Sequence, residues 1–143
     1  MSSEQVLKLV LRVMGSSSLL GLIFVVAPFG WMDSIHQGLG MGPLSDDPVV
    51  GYVARSTSAL YALIGGLLWV VSFDPGRHRR VLIYLGAAVT VFGAALLVVD
   101  WVEGLPLAWK LWEGPFVMVF GLTMLFLSRG LAPSTSSSTP VPE

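Results

Sequence analysis

The chain has 143 residues, of which 54% are hydrophobic and only 12% charged, and its mean hydropathy is +0.77. Soluble domains carry about 25% charged residues, so about half of the usual charge is missing. The net charge of −1 offers no basic surface for nucleic acid. The absence of cysteine excludes disulfides, zinc–thiolate sites, iron–sulfur clusters and thiol nucleophiles. This composition indicates a small integral membrane protein.

Four long apolar runs predict transmembrane helices, each of which needs about 20 mostly apolar residues. The predicted helices lie near residues 6–28, 48–73, 79–102 and 107–129. The connection between predicted helices 2 and 3 is short, and so is that between helices 3 and 4. We therefore expect the two helices of each pair to be antiparallel neighbours. The predicted fold is therefore an all-α bundle of four transmembrane helices, a single domain over residues 1–131.

Local signals support the predicted helix ends. Asp47 precedes Pro48, and a proline in the first helical turn is typical of a helix start. Gly130 follows Arg129, which predicts a glycine stop after the last helix.

Two segments lie outside the predicted helices. Residues 29–47 form the only substantial loop, which we expect to be flexible. Trp31, Ile35 and Leu39 recur there every four residues, which favours a short turn resting on the bilayer surface. The Ser/Thr/Pro-rich tail, residues 132–143, has a composition typical of disorder.

The basic residues predict the orientation, because Lys and Arg that flank membrane spans stay in the cytoplasm. The loops 29–47 and 101–109 contain no Lys or Arg. The basic residues near the predicted ends of the spans are Lys8, Arg12, Arg77, Arg79, Arg80 and Arg129. We therefore expect a protein of the bacterial inner membrane with both termini in the cytoplasm.

Arg55, Asp100 and Glu113 lie at a common predicted depth near the outer ends of their helices, with Lys110 on the face of Glu113. A face of small residues, including Ala59, Ala62 and Gly66, predicts that Arg55 points into the bundle. Three interpretations remain open: a structural ion pair, a ligand site in which Arg55 anchors an anion, and a proton pathway through the carboxylates.

Metal binding and catalysis have weaker support. Asp33 and His36 are three residues apart, but the chain has only two histidines, so we expect no metal site. No motif for nucleophilic catalysis is present, and no cofactor is expected.

The opening Arg12-Val-Met-Gly15 and the pattern Arg55-x5-Tyr61-x3-Gly65-Gly66 resemble small bacterial membrane proteins of the DoxX type. They equally resemble neighbouring four-helix families of unknown function. Some DoxX-type proteins are membrane subunits of quinone-linked oxidoreductases, but no motif here carries that activity over.

The expected function is that of a non-enzymatic accessory or interaction component, whose partners are the lipid bilayer and another membrane protein or a second copy. One alternative is a small-molecule or quinone-binding subunit of a redox complex, with Arg55 holding an anionic or carbonyl group. A second alternative is a homo-oligomeric transporter or channel.

Overall fold

The computed structural model describes residues 2–131, which contain helices and no strand. Four helical stretches, Ser3–Val26, Pro48–Ser72, Arg79–Val102 and Leu107–Arg129, are long and apolar enough to cross a membrane. The helices are α1 (Ser3–Leu19), α2 (Gly21–Val26), α3 (Phe29–Gly38), α4 (Pro48–Ser72), α5 (Arg79–Val102) and α6 (Leu107–Arg129). The expectation of an all-α multi-pass membrane protein is confirmed. The predicted tail, residues 132–143, lies outside the described residues.

The first span consists of α1 and α2, which are separated at Leu20. It ends at Ala27, whose extended backbone (ψ 142°) precedes Pro28. A proline restricts the residue before it to extended conformations and has no amide hydrogen, so the helix stops here. The carbonyl groups of the last turn of α2 are left without intrahelical donors.

The other helix ends agree in part with the local sequence signals. The side chain of Asp47 accepts a hydrogen bond from the amide of Val49 at 2.8 Å, and Pro48 occupies the first turn of α4. Gly130 does follow α6, but its φ of −77° is right-handed. The last helix therefore ends without the left-handed glycine stop that the sequence predicted.

The spans pack as two pairs: α1 and α2 against α4, and α5 against α6. The pairs meet through α1 and α6, whereas α4 and α5 are separated by an apolar groove. The prediction that helices 3 and 4 are close antiparallel neighbours is confirmed for α5 and α6. Helices α4 and α5 are also joined by a short connection, but an apolar groove lies between their faces, because a short connection brings helix ends together without pressing the faces together.

Glycines set the close approach within each pair. A Cβ on Gly93 would lie 2.6 Å from the amide nitrogen of Met118, and one on Gly121 would lie 2.5 Å from that of Thr90. In the other pair, a Cβ on Gly65 would lie 2.6 Å from the carbonyl oxygen of Gly15. Small residues are needed wherever helix backbones come this close, and in lipid such contacts drive helix association.

Large buried apolar side chains concentrate at one end of the bundle, which we call the termini end: the start of α1, residues 73–78 and the end of α6. The opposite end, with residues 27–47 and the α5–α6 turn, is the loop end. The buried core consists of Leu7, Leu11, Leu68, Val71, Leu82, Met124 and Leu131. The two pairs are therefore joined mainly at the termini end.

The loop between the first two spans is more ordered than predicted, because it contains the ten-residue helix α3. Trp31, Ile35 and Leu39 are exposed along one face of this helix, while Met32 is buried. The chain then reverses through Gly40 and Gly42, whose φ values of 79° and 81° favour glycine. An amphipathic helix between two spans has the character expected of a segment at the membrane interface.

Candidate functional site

Arg55 caps the end of α2. Its Nη1 donates to the carbonyl oxygen of Val25 at 2.6 Å, and its Nη2 donates to that of Ala27 at 2.9 Å. These are carbonyls that Pro28 leaves without helical donors, at the negative end of the helix dipole. Arg55 is therefore directed at the end of the first span, where it bonds backbone oxygens.

The predicted ion pair does not form. Within residues 2–131 the one salt bridge joins Lys8 to Glu4 at 2.7 Å, so Arg55 is not paired with Asp100 or Glu113. The physical reason is the placement of the helices: Arg55 lies against α2, whereas both carboxylates belong to the α5–α6 pair.

Asp100, in the last turn of α5, is 2% exposed, and its Oδ2 is buried without a hydrogen-bond partner in the described part of the chain. A buried polar oxygen without a donor costs free energy, about 1–3 kcal/mol and more when it is charged. This carboxyl group therefore requires a donor that residues 2–131 do not supply.

Glu113 lies beside Asp100 across the α5–α6 seam. The antiparallel register follows from five neighbouring pairs: Gly86 with Leu125, Thr90 with Gly121, Gly93 with Met118, Leu97 with Gly114, and Trp101 with Lys110. When this register is extended toward the loop end, Asp100 lies opposite Leu111, and Glu113 lies opposite Val98. The two carboxylates are therefore offset by two residues, about 3 Å along the helix axis.

A third acceptor lies at the same level. Pro115 is inside α6 and has no amide hydrogen, so the carbonyl of Leu111 lacks its usual i+4 donor. Leu111 is the residue that the register places opposite Asp100. The loop end of the α5–α6 pair thus holds two carboxylates and a freed carbonyl at one level, and we call the two carboxylates, Asp100 and Glu113, the acceptor-rich site.

Lys110 does not neutralise these acids through an ion pair. Its Nζ lies 4.6 Å from the centroid of the Trp101 ring, a cation–π contact across the α5–α6 hairpin. Of the four predicted site residues, Asp100, Glu113 and Lys110 lie at the same end of the α5–α6 pair. The structure assigns Arg55 to a separate contact.

An apolar groove of about 280 Å³ opens between α4 and α5, toward the middle of the spans. It is lined by Thr57, Leu60, Tyr61, Ile64, Ala88, Val89 and Phe92. Thr57 and Tyr61 are the polar side chains of this lining. Side chains on a helix tilt toward its N-terminus, which for Tyr61 is the loop end.

A wider apolar groove of about 810 Å³ runs along α2 and α4, and Ala59, Ala62 and Gly66 are part of its lining. The sequence predicted that this small-residue face packs inside the bundle. Ala62 is buried, but a Cβ on Gly66 would meet nothing within 4 Å. The face is thus only half covered, because α1 and α2 contact α4 along its neighbouring Gly65 edge.

Asp33 and His36 close the loop after α3. Asp33 accepts hydrogen bonds from the amide of Leu44 and the side chain of Gln37, both at 2.8 Å. His36 Nδ1 hydrogen-bonds to the carbonyl of Gly42 at 2.7 Å. No cluster of three potential metal ligands occurs among residues 2–131.

Two sequence signals could have identified these roles. Pro28 implied that the last carbonyls of the first span need an external donor, and Arg55 was the only basic residue of the second span. Pro115, two residues after Glu113, implied a freed carbonyl on the same turn.

Comparisons with family models, curated proteins and solved structures find no match to this chain. The resemblance to DoxX-type proteins therefore depends on the residues quoted above.

Proposed function

We propose that this protein is a non-enzymatic component of the bacterial inner membrane that binds a small lipid-soluble molecule at its loop end. The molecule enters the groove between α4 and α5 and presents a hydrogen-bond donor or a positive charge to the acceptor-rich site. The observation that carries this proposal is the buried, unpartnered Oδ2 of Asp100.

The distribution of charge supports the orientation with both termini in the cytoplasm. Among residues 2–131, the termini end holds six basic and two acidic residues, and the loop end holds two basic and six acidic residues. Basic residues beside membrane spans are retained on the cytoplasmic side. The loop end, with its acceptor-rich site, then faces the outside.

The chemistry of the site favours a donor as ligand. Arg55 was the expected anchor for an anion or a carbonyl group, but two of its nitrogens already donate to Val25 and Ala27. Carboxylates and carbonyls only accept hydrogen bonds. An ammonium or hydroxyl group fits this site, whereas a quinone, which has only acceptors, fits less well than its reduced quinol form.

The groove suits the body of such a molecule. Its lining is apolar apart from Thr57 and Tyr61, and the few polar groups lie toward one end. Apolar walls with a small number of placed polar groups are typical of small-molecule sites.

Three eight-carbon probes test the proposal: octylamine, 1-octanol and octanoate, added to the purified full-length protein in a neutral detergent. Calorimetry is expected to show the tightest binding for octylamine and the weakest for octanoate. Asp100→Asn is expected to weaken octylamine binding about tenfold or more, the value of a charged hydrogen bond. The matched control is Asp46→Asn, an exposed acid at the same end. Equal binding of octanoate, or no effect of Asp100→Asn, would contradict the proposal.

The groove on α2 and α4 favours a second candidate function, the interaction component expected from the sequence. Its exposed Ala59 and open Gly66 would let a partner helix approach α4 closely. Gly66→Leu fills that space and is expected to abolish such an association, measured by cross-linking in membranes, without affecting octylamine binding.

A further inference from the structure

Four arginines form a compact cluster at the termini end of the α5–α6 pair: Arg77, Arg79, Arg80 and Arg129. Arg79 Nη2 donates to the carbonyl oxygen of Arg129 at 3.1 Å, which brings the start of α5 and the end of α6 together. Within residues 2–131 none of the four side chains forms a salt bridge, although the carboxylate of Asp74 accepts a hydrogen bond from the backbone amide of Arg77 at 3.0 Å. Arg79 Nε is buried and has no acceptor in the same range. The arginine side chains of this cluster therefore have hydrogen-bond donors and positive charge available to bind an anion.

A shallow groove of about 500 Å³ runs along the exposed face of α5 from this cluster. Tyr84 lies near its start and Ala95 at its far end, with Ala87, Ala88 and Val91 between them. Arg80 lies one helical turn before Tyr84 on the same face, since residues four apart are neighbours on a helix. The positive charge of Arg80 thus lies at one end of this apolar groove.

The length of the groove indicates which kind of molecule it binds. Tyr84 to Ala95 is eleven residues, which is about 16 Å of helix. One leaflet of a bilayer contributes about 15 Å of hydrocarbon. A partner helix would need a contact face along the whole span, whereas this groove ends at Ala95, seven residues before the end of α5.

We propose that the termini end binds an anionic phospholipid, with its phosphate at the arginine cluster and one acyl chain entering the groove on α5 at Tyr84. Basic residues where helices emerge from the cytoplasmic leaflet attract anionic headgroups. The start of α5 at Arg79 places the guanidinium groups at headgroup level. This site is separate from the loop end, so it does not depend on the ligand proposed there.

The test is lipid binding to the full-length protein in a neutral detergent, followed by native mass spectrometry. Phosphatidylglycerol is expected to be retained in preference to phosphatidylcholine. Arg77→Gln combined with Arg80→Gln removes two exposed arginines whose side chains make no hydrogen bond within residues 2–131. This variant is expected to lose the preference by about fivefold for each arginine.

The control is Lys8→Gln, which removes a basic residue at the same end of the protein but leaves the cluster intact, and it should retain the preference. Ala87→Phe fills the groove and is expected to reduce retention of phosphatidylglycerol while the arginines remain. Equal retention of both lipids, or an unchanged preference in the double arginine variant, would overturn the proposal. So would a thermal stabilisation by inorganic phosphate equal to that by phosphatidylglycerol, because the site would then bind a free anion.

Discussion

Arg55 on α4 donates a hydrogen bond from Nη2 to the carbonyl oxygen of Ala27, at 2.9 Å, at the residue where Pro28 ends the first span. The Arg55 side chain therefore supplies hydrogen-bond donors to carbonyl groups that have no helical donor, because Pro28 ends the first span. The contact links the kinked first span to α4 at the loop end, where the large buried apolar core is absent.

Replacing Arg55 by alanine is expected to destabilise the protein, because the carbonyls of Val25 and Ala27 lose their donors. The loss should be about 1.5 kcal/mol, the lower end for hydrogen bonds to a charged group, since the side chain is only partly buried. Arg55→Lys keeps one charged donor and should lose less. Thermal unfolding in mild detergent measures both, and an alanine variant as stable as the natural protein would contradict the capping role.

The combination of Arg55→Ala with Asp100→Asn tests whether these residues act independently. Because they form no ion pair, their effects on the free energy of unfolding should add within about 0.5 kcal/mol. Arg55→Ala with Glu113→Gln should behave in the same way. A larger coupling energy in either pair of substitutions would show that Arg55 does form the ion pair that the sequence suggested.

Gly121→Ala tests the seam between α5 and α6. The new Cβ would lie 2.5 Å from the amide nitrogen of Thr90, so the helices must separate, at an expected cost of about 1–3 kcal/mol. Gly51→Ala is the matched control, since its Cβ would meet nothing within 4 Å. It should stabilise α4 by up to about 1 kcal/mol through helix propensity. A Gly121→Ala variant that unfolds like the control would show that the seam is not tightly packed.

Asp33 should make the loop after α3 sensitive to acid. The hydrogen bond from the amide of Leu44, and then that from Gln37, hold the pKa of Asp33 below its ordinary value of 3.8. A lowered pKa means that the ionised form stabilises the loop above pH 3.8, and that this contribution disappears as the pH falls through the folded-state pKa. An NMR titration should give a carboxyl midpoint below 3.8, with the Leu44 amide shifting at the same pH. A midpoint at or above 3.8 would show that these hydrogen bonds are not maintained.

Reporter fusions test the orientation. Fusions after Asp47 and after Glu103 are expected to report an external position, and a fusion after Gly76 a cytoplasmic one, because the basic residues cluster at the termini end. A cytoplasmic signal after Asp47 would reverse the proposed sidedness of the acceptor-rich site.

The sequence by itself determined the number, the approximate bounds and the helical state of the spans. A segment in hydrocarbon must be about 20 apolar residues long and must satisfy its own backbone hydrogen bonds. Both conditions are properties of one continuous run of residues. For the same reason Pro48 could mark a helix start in advance.

Only the tertiary structure decided which helices pack together and which partner each polar side chain takes. The short connection between α4 and α5 constrains their ends, but the close contacts of α4 are with α1 and α2. Arg55 and Asp100 share a predicted depth, yet the rotation and pairing of their helices direct Arg55 to Ala27 and leave Asp100 buried in the last turn of α5. Depth is encoded along one helix, whereas a contact between helices depends on the relative placement of both.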